Sequence, residues 1–319
     1  MNKPVTLALL VTPMAIAACS GQGSDKPTLP SAPPTQLAQV ATGNFQSPTD
    51  AVASPDGSEF YFAAFDPSHN AAIFSTPSKP GSTAQEVAVG GALDLPIGLV
   101  LSCDGSTLFI ADLGTGDGTN GEPVSEAGAI LTMPVGGGAV SNLGVSNLIR
   151  PSGLAMSPDC NTLYVTGHNS DGEPALVTVP TAGGLASVVW EGAPLVAPTG
   201  LHVDDQGTAW VMDHLAVGAN GEGVLYQIPT DGTAATEVAS NLHMGTPGGV
   251  SLTAGGGTAV MATIGAAGQA ELTTIDLASM EVGHVAAPDL EEPAGLRTAR
   301  DAGVFAVVDT EAGAIYRAQ

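Results

Sequence analysis

Positive charge is the scarcest chemical feature of this sequence. Its 319 residues include only 7 Lys and Arg against 31 Asp and Glu, giving a formal net charge of −24. A surface so poor in cations cannot neutralise phosphate groups, which argues against nucleic acid and anionic lipid as direct partners. Such a charge would favour disorder in a hydrophilic chain. The mean hydropathy is +0.24, however, so we expect a folded acidic protein.

Motifs that identify several enzyme classes are also absent. The sequence has no Gly-Lys-Ser/Thr phosphate loop, no dinucleotide-binding glycine fingerprint and no Gly-x-Ser-x-Gly nucleophile elbow. The glycines at 136–138 and 255–257 lie between predicted strands and open no helix, so they do not form a phosphate cradle. Apolar residues follow no helical period, which excludes helical and leucine-rich repeat arrays.

What the sequence does contain is a repeat. The stretch 150–167, RPSGLAMSPDCNTLYVTG, recurs in six imperfect copies that open on Pro-x-Gly or a variant of it. The opening prolines are Pro48, Pro96, Pro151, Pro198, Pro247 and Pro293, spaced 46 to 55 residues apart. A near-constant period of this length is typical of repeat arrays.

Each copy predicts four short antiparallel strands. In the third copy they cover 153–156, 162–166, 175–179 and 185–190, separated by turns rich in Pro, Asp, Asn and Gly. This pattern predicts an all-β fold, a six-bladed β-propeller with four antiparallel strands per blade. A sandwich built from many hairpins is the alternative, but it would not require a constant period.

The ends of the array predict how the ring closes. The sixth copy stops at Gln319 after its third strand, and the missing strand is available at 36–42, before the first copy. We therefore expect the N-terminal strand to complete the last blade, leaving no open edge. The propeller then covers residues 36–319.

Residues 1–35 predict export and a lipid anchor. Residues 1–18 have a basic start and an apolar core too short to span a membrane, as in a signal peptide. Ile16-Ala17-Ala18-Cys19 resembles a bacterial lipobox, which implies cleavage before Cys19 and its lipidation; an ordinary signal peptide is the alternative. Ser20 in place of Asp implies sorting to the outer membrane. Residues 19–35, rich in Pro and Ser, predict an extended tether.

The Pro-x-Gly-Leu, Ser-Pro-Asp-Gly and Leu-Tyr-Val segments resemble NHL-type and gluconolactonase-like (senescence-marker, regucalcin-type) propellers, within the six-bladed TolB-like group. The resemblance covers 36–319. In the lactonase branch a divalent cation, usually calcium, lies in the central channel. Asp50 takes the place of Gly in the first copy and could face such a cation, or it could cap a turn. The later copies carry no Asn where that branch would need one.

A second set of candidate residues follows the second strand of each copy or precedes a Pro. Its members would share one face of the ring, the predicted mouth, as metal or ligand sites or as a general base pair. They are Asp66 with His69, Asp112, His168 with Asp171, Asp213 with His214, His243 and Asp309. Alternatively, each Asp caps the backbone N–H groups of its own loop.

An insertion in the second copy, residues 113–126, adds acidic and amide groups that include Asp117. This Gly-rich loop could wrap Ca²⁺, although it lacks EF-hand spacing, or it could be a solvated loop. Two further candidates, Cys103 and Cys160, fall in equivalent turns of neighbouring copies. They could form a disulfide, which export would permit, or remain two separate thiols.

Two functions from different classes follow. The first is a lipid-anchored binding module of the cell envelope that binds a protein, a glycan or a small molecule. It is expected to be a monomer, to have no cofactor that the sequence identifies with certainty, and to contact the membrane only through its anchor. The second is a Ca²⁺-dependent lactonase or esterase that uses Asp50 and the mouth carboxylates. A degenerate paralogue without a ligand is a third possibility.

Overall fold

The computed structural model describes residues 32–114, 128–253 and 255–319, and in these segments the regular elements are all strands. The first, β1 (Leu37–Thr42), belongs to the last blade. Blade 1 contains β2 (Ala51–Ala53), β3 (Glu59–Phe65), β4 (Ala71–Pro77) and β5 (Gln85–Val89). Blade 2 contains β6 (Pro96–Leu101), β7 (Thr107–Asp112), β8 (Ala129–Pro134) and β9 (Ser141–Asn142). A short parallel pair joins β10 (Val145–Ser146) to a strand of blade 3.

Blade 3 contains β11 (Leu148–Met156), β12 (Thr162–Asn169), β13 (Pro174–Pro180) and β15 (Ser187–Glu191), and β14 (Gly184–Leu185) is the partner of β10. Blade 4 contains β16 (Pro198–Val203), β17 (Ala209–Gly218), β18 (Gly221–Ile228) and β19 (Thr236–Ser240). Blade 5 contains β20 (Val250–Leu252), β21 (Thr258–Ile264), β22 (Ala270–Asp276) and β23 (Val282–Ala286). Blade 6 contains β24 (Pro293–Thr298), β25 (Phe305–Asp309), β26 (Ala314–Ala318) and β1.

These sheets form a six-bladed β-propeller, as the repeat predicts. The N-terminal strand closes the ring: β1 pairs antiparallel with β26, from Leu37 opposite Ala318 to Thr42 opposite Ala314. Backbone N–H groups of Thr35 and Gln36 also donate to the carbonyl of Gln319. The predicted closure is thus confirmed, and it removes the free edge that blade 6 would otherwise present.

The core lies between the blades and follows from the two-residue period of a strand. Leu108 and Ile110 in β7 pack towards blade 1, whereas Phe109 and Ala111 in the same strand pack towards blade 3. A central strand is therefore apolar on both faces, since each face is covered by a neighbouring blade. No helix in the described residues is long and apolar enough to cross a membrane.

The glycine of Pro-x-Gly is fixed by the crowding of the first strands around the axis. A Cβ on Gly98 would overlap the carbonyl oxygen of Ser152 in the next blade, and a Cβ on Gly153 would overlap that of Thr199. Only glycine allows this close approach of backbones. Blade 1 is the exception, because Asp50 occupies the equivalent position.

Candidate functional site

The six first strands, β2, β6, β11, β16, β20 and β24, surround the central channel, and each contacts the first strands of its neighbours. Every one of them runs from the segment that begins at its opening Pro to the turn before its second strand. We call the two ends of the channel the Pro end and the turn end. The predicted mouth residues belong to the Pro end.

At the Pro end, the carboxylate that ends the second strand of each even-numbered blade accepts hydrogen bonds from backbone N–H groups. Asp213 is fully buried and accepts N–H bonds from Val196 at 2.7 Å and Ala197 at 3.0 Å, just before Pro198. Asp112 accepts from the residues before Pro96, Asp94 and Leu95, and Asp309 from those before Pro293, Glu291 and Glu292. Burial raises the pKa of Asp112, and these amide bonds oppose the rise.

In blades 1 and 3 the corresponding side chain accepts hydrogen bonds from the loop that follows its own strand. Asp66 accepts N–H bonds from Ser68 and Asn70, both at 2.8 Å, and the Asn70 side chain at 2.9 Å. Hydrogen bonds from Asn70 lower the pKa of Asp66. In blade 3, Asn169 takes this role and accepts the N–H of Asp171. These side chains therefore close local turns and do not point together at the axis.

The histidines of the predicted set have different surroundings. His214 places Nδ1 3.1 Å from the carbonyl oxygen of Ala197, and His243 makes a backbone bridge with Ile264. His168 is half-buried, and burial, followed by Arg150, lowers its pKa. His69 lies in a tight turn with φ of 63°.

Within 32–114, 128–253 and 255–319, no three His, Cys, Asp or Glu side chains are grouped so that they could hold a metal ion. The described members of the predicted mouth set thus do not form a metal-binding cluster, and the carboxylates of Asp66, Asp112, Asp213 and Asp309 accept backbone N–H groups of their own blades. Asp117, in the insertion of blade 2, lies outside the described residues, as does Cys19.

Asp50 lies inside the channel and is paired with an arginine of blade 6. Its Oδ2 accepts Nε of Arg297 at 2.9 Å and the N–H of Leu99 at 2.8 Å, while Oδ1 accepts the N–H of Ala51 at 3.0 Å. The side chains of Asp50 and Arg297 are only 3% and 13% exposed. Burial raises the pKa of Asp50, and the positive charge of Arg297 opposes the rise. The cation beside this carboxylate is therefore a guanidinium.

Arg297 also ties the ring together across the axis. Its Nη1 donates to the carbonyl oxygens of Leu154 in blade 3, at 2.7 Å, and Leu201 in blade 4, at 3.0 Å. The pair formed by Asp50 and Arg297 thus links blade 6 to blades 1, 3 and 4.

Beyond this pair, at the turn end, the channel opens into a cavity of about 470 Å³, which we call the turn-end cavity. Arg297, His202 and Ser251 contribute polar groups to its lining, and Val52, Val100 and Met156 contribute apolar ones. His202 Nδ1 lies 3.3 Å from Ser251 Oγ, which accepts the N–H of Thr298. Burial, and then the charge of Arg297, lowers the pKa of His202 to about 4, so the imidazole is neutral at pH 7.

A disulfide and a second arginine lie where the turn-end cavity opens to solvent. Cys103 of blade 2 and Cys160 of blade 3 are bonded to each other, so of the two alternatives the structure contains the bridge. Arg300, from blade 6, lies across it with Nη1 2.9 Å from Cys103 Sγ and Nη2 3.7 Å from Cys160 Sγ. The described part of the chain contains no carboxylate in an ion pair with Arg300.

Reasoning from the sequence missed this site, although a signal for it was present. The lining positions are the fourth residue after the opening Pro of each copy and read Val52, Val100, Ala155, His202, Ser251 and Arg297 around the ring. Three of the six are polar, at a position where the repeat otherwise places apolar residues. Aligning the copies by this position would have identified the channel lining.

No protein-family model and no curated protein matches the sequence. Solved structures do match it. They include a chain in a nidogen/laminin complex (18% identity, TM-score 0.57, 75% of this chain and 82% of that one). A second is a structural genomics protein of unknown function from Bacteroides thetaiotaomicron (10% identity, TM-score 0.62, 89% of this chain and 72% of that one). A third is a structure described as TolB from Agrobacterium tumefaciens (13% identity, TM-score 0.56, 89% of this chain and 96% of that one). At these identities the likeness establishes the propeller fold alone.

Proposed function

We propose that this protein is a binding module of the cell envelope that holds a small molecule in the turn-end cavity. The observation that carries this proposal is the cavity itself, about 470 Å³, which combines fixed polar groups on Arg297 and His202 with apolar walls. Small-molecule sites in proteins have this size and this mixture of lining groups. The fold supplies a rigid frame for the site but does not specify the ligand.

The test compares a cavity-filling variant with a surface variant. Ala155→Phe places a phenyl ring in the cavity, whereas Ala278→Phe makes the same change at an exposed turn of blade 5. Ligands found by thermal shift in a panel of small molecules are titrated by calorimetry against both proteins. We expect Ala155→Phe to abolish binding and Ala278→Phe to retain it. Equal binding by the two variants would refute the location.

Export and lipid anchoring are part of the same proposal. The signal-like residues 1–18 and the lipobox ending at Cys19 support them, and the disulfide between Cys103 and Cys160 suits an oxidising compartment. In cells, Cys19→Ser should move the protein from the membrane fraction to the soluble fraction. Ser20→Asp should keep the anchor but move the protein to the inner membrane. Unchanged fractionation of both variants would exclude the lipobox.

The Ca²⁺-dependent hydrolase has less support from the geometry. Both oxygens of Asp50 accept hydrogen bonds, and the guanidinium of Arg297 lies where a channel cation would be held. Metal analysis of the purified full chain, with assays on lactones and esters, tests this alternative. Stoichiometric Ca²⁺ together with hydrolysis that a chelator abolishes would establish it.

A protein partner at the Pro end is a second candidate function. Val196, Leu215 and Val217 of blade 4 are exposed there by 49%, 48% and 76%. Apolar side chains grouped on a surface are a common feature of protein contacts. We expect the Leu215→Ser/Val217→Ser variant to lose a cross-linked adduct that the wild type forms in intact cells. The same adduct from both proteins would exclude these residues.

A further inference from the structure

Hydrogen-bond donors at the floor of the turn-end cavity lack acceptors among the described residues. Arg297 carries five N–H donors. Nε is used by Asp50, and Nη1 by the carbonyl oxygens of Leu154 and Leu201. Nη2 donates to no acceptor among the described residues. Since three blades hold the guanidinium in place, the direction of its free N–H groups is fixed.

His202 supplies a further donor beside it. Ser251 Oγ accepts the N–H of Thr298 at 3.1 Å, and its hydroxyl proton can be donated to Nδ1 of His202, 3.3 Å away. In the tautomer of the neutral imidazole that accepts this bond at Nδ1, the proton is on Nε2. Nε2 has no acceptor among the described residues, and the ring lines the cavity.

A second cation adds to these donors. Arg300 lines the cavity where it opens to solvent and contributes a positive charge there.

Two acidic residues, Asp204 and Asp205, also line the cavity, and their charges act on His202. Asp204 accepts N–H bonds from Gln206 and Thr208, and its second oxygen accepts Nε1 of Trp210. Asp205 is exposed at the rim. Beside Arg297, and away from these carboxylates, a cation would meet the guanidinium, whereas an oxyanion would meet N–H donors.

Building on the proposed binding function, we propose that the turn-end cavity binds a small monocarboxylic acid with an apolar body. Its carboxylate accepts hydrogen bonds from Arg297 Nη2 and His202 Nε2, and its body lies against Val52, Val100 and Met156. The volume of the cavity supports an organic acid over an inorganic anion, because phosphate or sulfate would leave the apolar walls uncovered. Guanidinium groups are well matched to planar carboxylates.

Calorimetry on the full chain tests the inference, with hexanoate, benzoate and 4-phenylbutyrate as probes. Their primary amides keep the shape but lack the charge, and phosphate and sulfate lack the apolar body. We expect at least one carboxylate to bind 10-fold or more tightly than its amide, as for a hydrogen bond to a charged group. Equal binding of acids and amides overturns the inference, and so does tighter binding of phosphate or sulfate.

Variants locate the contact. His202→Phe removes the Nε2 donor and should weaken carboxylate binding about 10-fold, whereas His202→Gln keeps a donor of similar reach and should retain most of it. Arg300→Gln should also weaken binding, and Arg317→Gln, an equal charge change where blade 6 meets Ser78 of blade 1, should not. Unchanged affinity in both His202→Phe and Arg300→Gln refutes the inference.

The two proposals fail in different ways. If other ligands bind and Ala155→Phe abolishes their binding, but no carboxylate binds, the carboxylate inference fails and the binding function stands. If ligands bind equally to Ala155→Phe and wild type, the cavity is not the site and both fail.

Discussion

Replacing His202 by glutamine should change how the stability of the propeller depends on pH. In the folded protein the half-buried imidazole lies beside Arg297, and desolvation, followed by the charge of Arg297, lowers its pKa from 6.5 to about 4. Above pH 6.5 the ring is neutral in both the folded and the unfolded chain and adds no pH dependence. As the pH falls below 6.5, the unfolded chain binds the proton first, so acid favours unfolding.

The size of the effect follows from the difference between the two pKa values. Each pKa unit corresponds to about 1.4 kcal/mol, so the free energy of unfolding should fall by about 3 kcal/mol between pH 6.5 and pH 4. At pH 4.5 most of this loss, about 2.5 kcal/mol, should already be present. Below pH 4 the ring is protonated in both states and the effect stops growing.

Urea unfolding of wild type and His202→Gln at pH 7.5 and pH 4.5, followed by circular dichroism, measures this loss. The other titrating groups, including Asp50 and His168, are present in both chains and cancel in the comparison between them. We expect the wild type to lose about 2.5 kcal/mol more than the variant between the two pH values. Parallel losses in the two proteins would show that His202 is not buried in its neutral form.

Three further predictions concern contacts between blades. Arg297→Met leaves Asp50 buried without its partner and should cost about 3–5 kcal/mol in urea unfolding, whereas adding Asp50→Asn should restore part of it; equal loss in both proteins would refute the pairing. The Cys103→Ser/Cys160→Ser variant opens a link across 57 residues, and its free energy of unfolding should be about 4 kcal/mol lower than that of the oxidised wild type. Under reducing conditions the two proteins should be equally stable, and a difference that persists under those conditions would refute the role of the bond. Deleting residues 1–42 exposes the edge of blade 6 and should cause self-association in size-exclusion chromatography, while deleting 1–31 should not; a monomeric 1–42 deletion would show that the edge is otherwise protected.

The architecture of this protein could be predicted because the contacts that create it are local and repeated. Strands that follow one another in a copy pair with one another, as β11 to β13 do, so turn residues and apolar alternation are sufficient to place them. The closing strand could be predicted for the same reason, since one copy lacked a strand and 36–42 supplied it. The glycine of Pro-x-Gly also follows from the fold, because adjacent first strands approach too closely for a Cβ.

The chemistry of the channel could not be predicted in the same way. Asp50 meets Arg297 across 247 residues, and this contact exists only once the ring has closed. The repeat predicts one face of the ring for the carboxylates of Asp112, Asp213 and Asp309, yet their direction depends on which backbone N–H groups lack partners nearby. A repeat fixes where a residue lies along its blade, but the groups that it meets belong to other blades.

The sequence by itself thus determined the number of blades, the order of their strands and the way the ring is closed, since hydrogen bonding between neighbouring strands is set by short-range pattern. Only the tertiary structure decided that the channel contains an ion pair and opens into a cavity at the turn end. Six side chains from six separate copies line that cavity, and their separation in space is set by the closed ring and not by their separation along the chain.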